Sequence, residues 1–224
     1  MLKIYGIPIS VHTRKVIIAA IEKKLPYENE AVIPFNPPPG WSDLSPTGKI
    51  PAATDGDVTL CDSSVICAYL ERMHPAPPLY PEVARDYVQT LWFEEYADGA
   101  IFREVIHGLF FNQVIRPKIL KQPGDRSAID AILTDTVPAV FGYLEKSLTG
   151  HYLAADRFTL ADVALVSNLI NFHYLGYAID ARFPGLAAYF ERIIAHRSVA
   201  AAVAAEQSSA ASMGLERGFL NLAV

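Results

Sequence analysis

Near residue 75 the chain crosses Pro75-Ala76-Pro77-Pro78-Leu79-Tyr80-Pro81, where four prolines in seven positions exclude both helix and interior strand. Such a stretch reads as a linker, and the hydrophobic period differs on its two sides. Before it, Leu2–Tyr5 is a short apolar run stopped by Gly6 and Pro8, the pattern of a buried strand. From Val11 the period changes: Val11, Val16, Ile17, Ala20 and Ile21 share a helix face, with Lys23-Lys24 in its last turn. Tyr27–Ile33 is again β-rich, and Pro34-Phe35-Asn36-Pro37-Pro38-Pro39-Gly40 must be a loop. Ala52–Thr54 and Val58–Cys61 flank the turn Asp55-Gly56-Asp57, and Ser63–His74 is helical through Val65, Ile66, Tyr69, Leu70 and Met73. Beyond the linker only helices are expected, over 83–112, 126–148 with a kink at Pro138, 159–176 and 183–196, before a weakly patterned tail after Ala205.

The order βαβ, loop, ββα is the thioredoxin-like arrangement, in which the final hairpin makes the sheet mixed. The expectation is an α+β thioredoxin-like domain over 1–80, with a cis proline, and an all-α helical domain over 81–224. A chain that is 51% hydrophobic and 19% charged has core material for both. With a net charge of −5 and no Lys/Arg cluster it lacks the electrostatic footprint of a nucleic-acid binder. It shows neither a signal-peptide apolar core nor a run of ~18–20 apolar residues, so a soluble, cytoplasmic protein with no membrane span is expected. Cys61 and Cys67, the two cysteines, do not form C-x-x-C and read as inert buried thiols. No metal site is expected.

Three places can carry chemistry. In Gly48-Lys49-Ile50-Pro51, a cis bond at Pro51 would turn the backbone of Ile50 outward for an extended peptide, whereas a trans proline would merely open an edge strand. Asp62-Ser63 opens a helix. It either caps that helix or uses the free N–H groups and the Ser63 hydroxyl for a ligand carboxylate, with Asp62 meeting an ammonium. Ser10 lies between the first strand and first helix. No Ser-His-Asp pattern surrounds it, so it is a cap or a hydrogen-bond donor to an anion.

Together these segments resemble the cytosolic glutathione transferase family. Lys3-Ile4-Tyr5-Gly6 through Lys24-Leu25-Pro26-Tyr27-Glu28 resembles its first βα unit and second strand. Ser45-Pro46-Thr47-Gly48-Lys49-Ile50-Pro51 resembles its N-P-x-G-x-V-P segment, and Asp62-Ser63 with Ile66 and Tyr69-Leu70 its E-S-x-x-I-x-x-Y-L segment. Phe158-Thr159-Leu160-Ala161-Asp162 resembles a helix start in its second domain, with Thr159 and Asp162 as a capping box. Val11 for the proline that often follows the serine, Asp62 for glutamate, Ser45 for asparagine and the triple proline are departures from the pattern.

The resemblance implies that the γ-glutamyl end of glutathione meets Asp62-Ser63, its cysteinyl backbone Ile50 beside Pro51, and its glycyl carboxylate Lys49. It implies that Ser10 faces the thiol, as in bacterial, theta-like, tau-like and zeta-like enzymes of the serine type. Tyr5 is the other candidate for that role, and His12 a further glutathione contact. Phe35, Arg103, His107 and Phe110 are candidates for a second-substrate pocket. The implied activity is conjugation of glutathione to a small electrophile by a homodimer. A glutathione-dependent reductase, isomerase or dehalogenase, or a non-catalytic ligand-binding relative, are the alternatives.

Overall fold

A computed structural model describes residues 1–215; the expected helical domain ends in residues 216–224, which lie outside the described residues. The described residues form two compact units, one of Met1–Tyr80 with His196–Ala210, the other of Pro81–Ala195 with residues 211–215.

The first unit contains β1 (Leu2–Tyr5), α1 (Val11–Glu22), β2 (Tyr27–Glu30), a single helical turn α2 (Trp41–Leu44), β3 (Ala52–Asp55), β4 (Val58–Cys61) and α3 (Ser63–Met73). The strands form a mixed sheet in the order β2-β1-β3-β4. β1 runs parallel to β2 and antiparallel to β3, as expected when α1 crosses over between β1 and β2 and a hairpin joins β3 to β4. Asp55 pairs with Val58, and Gly56 supplies the positive φ (62°) of the two-residue turn between them. β2 stops at Glu30, short of the expected Ile33, because its partner β1 ends at Tyr5.

Alternation along β1 buries Leu2 and Ile4 in the main core and turns Lys3 and Tyr5 to the opposite face. There a smaller cluster of Val32, Trp41 and Ala52 forms, with Tyr5, Leu44 and Ile50 packed on it. α1 is buried nearly all round, Arg14 and Lys15 included, since it packs against α3 and against α10 (Arg197–Ala205). At its end Lys23 Nζ donates to the Glu71 carboxylate (2.7 Å) and to the carbonyls of His74 (2.7 Å) and Pro77 (3.0 Å), so the basic end of α1 anchors the start of the linker.

Residues 196–210 group with the first unit, whereas the expected boundary assigned everything after residue 80 to the helical domain. Val199, Ala202 and Val203 of α10 are buried, and Glu206 just beyond it meets the guanidinium of Arg14 at 2.8 Å. The tail is also more regular than its sequence pattern suggests, since α11 covers Gln207–Ser212.

Among the described residues the regular elements of the second unit are all helical. α4 (Ala84–Tyr96) continues through a wider, π-type stretch (Ala97–Ile106), α5 (His107–Phe110) and a second π-type stretch (Phe111–Ile119). It therefore runs past the expected end at 112. The wider turns accommodate Pro117, which has no N–H for a regular helix. Likewise α6 (Arg126–Ala131) opens into a π-type turn (Ile132–Thr136) just before Pro138, which then sits in the first turn of α7 (Val137–Ser147). α8 (Leu160–Tyr174) is buried along its whole length, as a helix apolar on every side must be, and α9 (Pro184–Ile194) follows. Among the described residues no helix is long and apolar enough to cross a membrane.

His173, near the end of α8, stacks on Phe190 with ring centres 4.4 Å apart, and burial pushes its pKa down to about 4. The fold therefore keeps the imidazole neutral while the unfolded chain takes up a proton below its ordinary value of 6.5. Stability should hold above pH 6.5 and fall as the pH drops towards 4, by up to about 3 kcal/mol from this group. Urea unfolding at pH 7 and pH 4.5 checks this: His173→Leu should show a smaller loss between the two pH values than the wild type.

Candidate functional site

The register places the three sequence candidates at one end of the sheet. Tyr5, Ala52 and Cys61 are paired in a row across β1, β3 and β4, with Glu30 of β2 on the far side of Tyr5. The turn carrying Ser10 leaves just beyond Tyr5, Pro51 enters just before Ala52, and Asp62 follows Cys61 directly. The proline loop leaves from the same end after Glu30.

Ser10 is the N-cap of α1, in extended conformation (φ −65°, ψ 131°), and half-buried. Its N–H donates to the Ile7 carbonyl (3.0 Å), and its carbonyl accepts the first helical bond from the Arg14 N–H (2.8 Å). Its hydroxyl makes no capping bond to the helix, unlike most serines at this position. Hydroxyl and helix N-terminus thus both remain available to an anion. Gly6 lets this turn lie against the strand end, since a Cβ there would come within 2.4 Å of the Thr13 hydroxyl. His12 follows in the first turn, half-buried.

Tyr5 belongs to the small cluster on the other face of the sheet. Its ring packs edge-on to Trp41 with centroids 6.4 Å apart, and its hydroxyl lies 3.4 Å from that of Thr54, two residues along β3 from its own pairing partner. The side chain is therefore directed back along the sheet, away from the end that carries Ser10.

The segment before β3 is braced from within. Ser45 donates through its hydroxyl to the Lys49 carbonyl (2.6 Å), Gly48 N–H donates to the Ser45 carbonyl (2.9 Å), and the Trp41 indole donates to the Gly48 carbonyl (3.2 Å). The Ile50–Pro51 bond is cis, and Ala76–Pro77 in the linker is cis as well. Ile50 directs its side chain to the Trp41 cluster, Pro51 is buried, and the Lys49 side chain is exposed.

At the third position Asp62 caps α3: its Oδ1 accepts from Ser64 N–H (2.8 Å) and Val65 N–H (3.3 Å). It does so at φ 76° and ψ 131°, a backbone conformation costly for a residue with a side chain, by roughly 1–3 kcal/mol. Ser63 is buried as the first residue of the helix. Lys15, buried in α1, donates to the Ser64 hydroxyl at 2.8 Å and ties the two helix starts together.

The remaining candidates are more scattered. Phe35, at the tip of the proline loop, is 59% exposed. That loop borders two shallow grooves of about 420 and 430 Å³, and Ser10 and Ser63 line neither. In the second unit Arg103 and His107 are exposed and Phe110 is half-buried, with His107 lying parallel to Phe111 at 6.2 Å. Among the described residues no group of three or more His, Cys, Asp and Glu is arranged to hold a metal ion.

Sequence reading missed the buried pair of Arg14 and Glu206. The available signal was that Glu206 is the one charged residue between Arg197 and Glu216, in a run otherwise of small and apolar side chains.

Residues 4–78 match the family model described as glutathione S-transferase, N-terminal domain, and residues 110–206 match the model described as glutathione S-transferase, C-terminal domain. The chain is similar to glutathione S-transferase 3 of Zea mays, with 28% identity over 91% of this chain and 94% of the relative. It is similar to FtsZ-localized protein A of Caulobacter vibrioides, with 24% identity over 77% of this chain and 78% of the relative. Among solved structures it shares the fold of a glutathione S-transferase from Rhodospirillum rubrum, with a TM-score of 0.83 at 24% identity, covering 89% of this chain and 90% of the other.

Proposed function

We propose that this chain, which belongs to the glutathione S-transferase family, is a cytoplasmic transferase of the serine type that conjugates glutathione to a small electrophile. Glutathione lies along the row of loops at one end of the sheet. Its γ-glutamyl carboxylate meets the N-terminus of α3 at Ser63, its ammonium the Asp62 carboxylate, its cysteinyl backbone that of Ile50, and its glycyl carboxylate Lys49. The thiol faces Ser10, with His12 beside it.

The observation that carries this reading is the Ser10 hydroxyl, which sits at a helix N-terminus and makes no capping bond. A free thiol ionises near pH ~8.5, so only a few per cent is thiolate at neutral pH. A hydroxyl donor together with the positive end of α1 can lower that value by about 2 units, a differential stabilisation of about 2.7 kcal/mol. The thiolate sulfur then attacks the electrophilic carbon, forming a C–S bond as the leaving group departs with its electron pair. Phe35, exposed on the proline loop, is the side chain of the first unit proposed to contact the second substrate.

Redox chemistry through a protein thiol is disfavoured because Cys61 lies at the end of β4 and Cys67 is buried in α3, so no thiol stands at the start of α1. Neither is in a disulfide, which suits a reducing compartment. A homodimer is proposed with it. Exposed apolar side chains on α3 (Val65, Met73) and on α4 (Val88, Trp92) supply surface for such an interface.

Ultraviolet absorbance of the thiolate, scanned across pH with glutathione added, tests the proposal. The bound thiol should titrate about 2 units below the free one. Binding with an unshifted thiol would instead favour a ligand-binding relative. No binding would leave the fold without the activity.

A further inference from the structure

We propose that Glu206 is a positioning residue for thiol activation, acting through Arg14 on the peptide that carries Ser10. This rests on the function proposed above and adds a residue, 192 positions away from Arg14, with no place in the glutathione site. The Arg14 guanidinium is buried and forked on the Glu206 carboxylate, Nε donating to Oε2 (2.8 Å) and Nη2 to Oε1 (2.9 Å). Two parallel charge-assisted bonds fix the guanidinium in plane as well as in position. From that fixed frame Nη2 also donates to the Ile9 carbonyl at 3.2 Å.

That carbonyl belongs to the same planar peptide as the Ser10 N–H, which donates to the Ile7 carbonyl at 3.0 Å. The peptide is thus held at both ends, and the next one is held by the bond from Arg14 N–H to the Ser10 carbonyl (2.8 Å). Both planes flanking the Ser10 Cα are tied to Arg14, so the direction of the Cα–Cβ bond follows from where the arginine sits. With no capping bond on its hydroxyl, Ser10 depends on this backbone frame to aim it. A displacement of about 1 Å at a reacting group is enough to lose about a hundredfold in rate, which makes such a frame consequential. Glu206 lies at the junction of α10 and α11, so the segment 196–210, which joins the first unit from far along the chain, is part of the activating apparatus.

The test is a double-mutant cycle on the full-length protein, read by the pKa of bound glutathione from its thiolate absorbance. Arg14→Met/Glu206→Leu removes the pair without changing net charge or leaving one partner buried alone. The bound thiol's pKa should rise by about one unit, a tenfold fall in its ionisation constant, in the Ser10 background. In a Ser10→Ala background the same pair of changes should move it no further, because the route runs through Ser10. An unshifted thiol in the folded double variant overturns the proposal, and so does an equal shift in both backgrounds. Should the apolar pair fail to fold, Arg14→Gln/Glu206→Gln keeps a neutral, mutually bonding pair and carries the same expectation. A wild-type complex whose thiol is not depressed at all overturns the transferase reading and this inference with it, an outcome distinct from the others.

Discussion

Asp162→Ala should destabilise the protein by about 4 kcal/mol, lowering its melting temperature by roughly 8–16 °C. The carboxylate is fully buried at the start of α8 and accepts four hydrogen bonds. Thr159 N–H (2.8 Å) and the Thr159 hydroxyl (3.0 Å) donate to Oδ2, while Leu153 N–H (3.1 Å) and the Tyr189 hydroxyl (2.8 Å) donate to Oδ1. Alanine would leave these buried donors without their partner, at about 1–3 kcal/mol for each group that cannot relax. Tyr189→Phe removes one donor and keeps the acceptor, so it should cost only about 1 kcal/mol. Burial raises the Asp162 pKa despite its four donors, and burial, then the nearby carboxylate, pushes that of Tyr189 well above its usual range. An acid whose folded pKa is raised contributes most below its unfolded value and loses that contribution as the pH climbs through the folded one. The gap between wild type and Asp162→Ala should therefore be wider in acid, below the folded value, than at pH 7, as long as the rest of the fold survives. Thermal melts of the two variants from pH 7 downwards check both statements. Equal melting temperatures for Asp162→Ala and wild type would mean that the network carries no net stability.

The capping box was legible because Thr159 and Asp162 are three residues apart and their chemistry is local. The same holds for the hairpin at Gly56 and for the four strands, whose periods show in short windows. The choice between Ser10 and Tyr5 was less accessible. Alternation along Leu2–Tyr5 already separates Tyr5 from the main core, but where its hydroxyl points depends on Trp41 and Thr54, brought near by folding. Arg14 and Glu206 were out of reach for the same reason. An arginine amid a helical pattern reads as a solvated charge until a carboxylate from the far end of the chain is placed against it. The positive φ of Asp62 and the wide turns ahead of Pro138 have no local signature beyond the residues themselves. What sequence conveys here is therefore the short-range part of the site: the cap, the proline and the serine. The support that holds each of these candidates in place arrives through tertiary contacts.

Ser10→Ala should lower kcat/KM for conjugation about 10-fold at pH 7 and by much less at pH 9.5. Near pH 7, a bound thiol with pKa ~6.5 is about three-quarters thiolate, against ~3% for one at ~8.5. Removing the hydroxyl returns the thiol towards the higher value. The loss should be largest at neutral pH and fade as solvent pH ionises the thiol unaided. Part of the depression should survive, because the N-terminus of α1 is still present. Tyr5→Phe makes the contrast sharp. The Tyr5 hydroxyl faces Thr54 across the small cluster, so its removal should change kcat/KM by less than about twofold at either pH. Glutathione affinity should fall little in either variant, since the contacts proposed at Ser63, Ile50 and Lys49 are untouched. The measurement is a pH–rate profile for the three proteins with one activated aryl halide, alongside the thiolate titration of each complex. If Tyr5→Phe rather than Ser10→Ala shifted the profile, the hydroxyl would have to swing away from Thr54 on binding, and the serine-type assignment would fall. A uniform loss at every pH in Ser10→Ala would point instead to a misplaced thiol that still ionises normally. The pH dependence separates these outcomes, because only a change in thiolate population is cancelled by raising the pH.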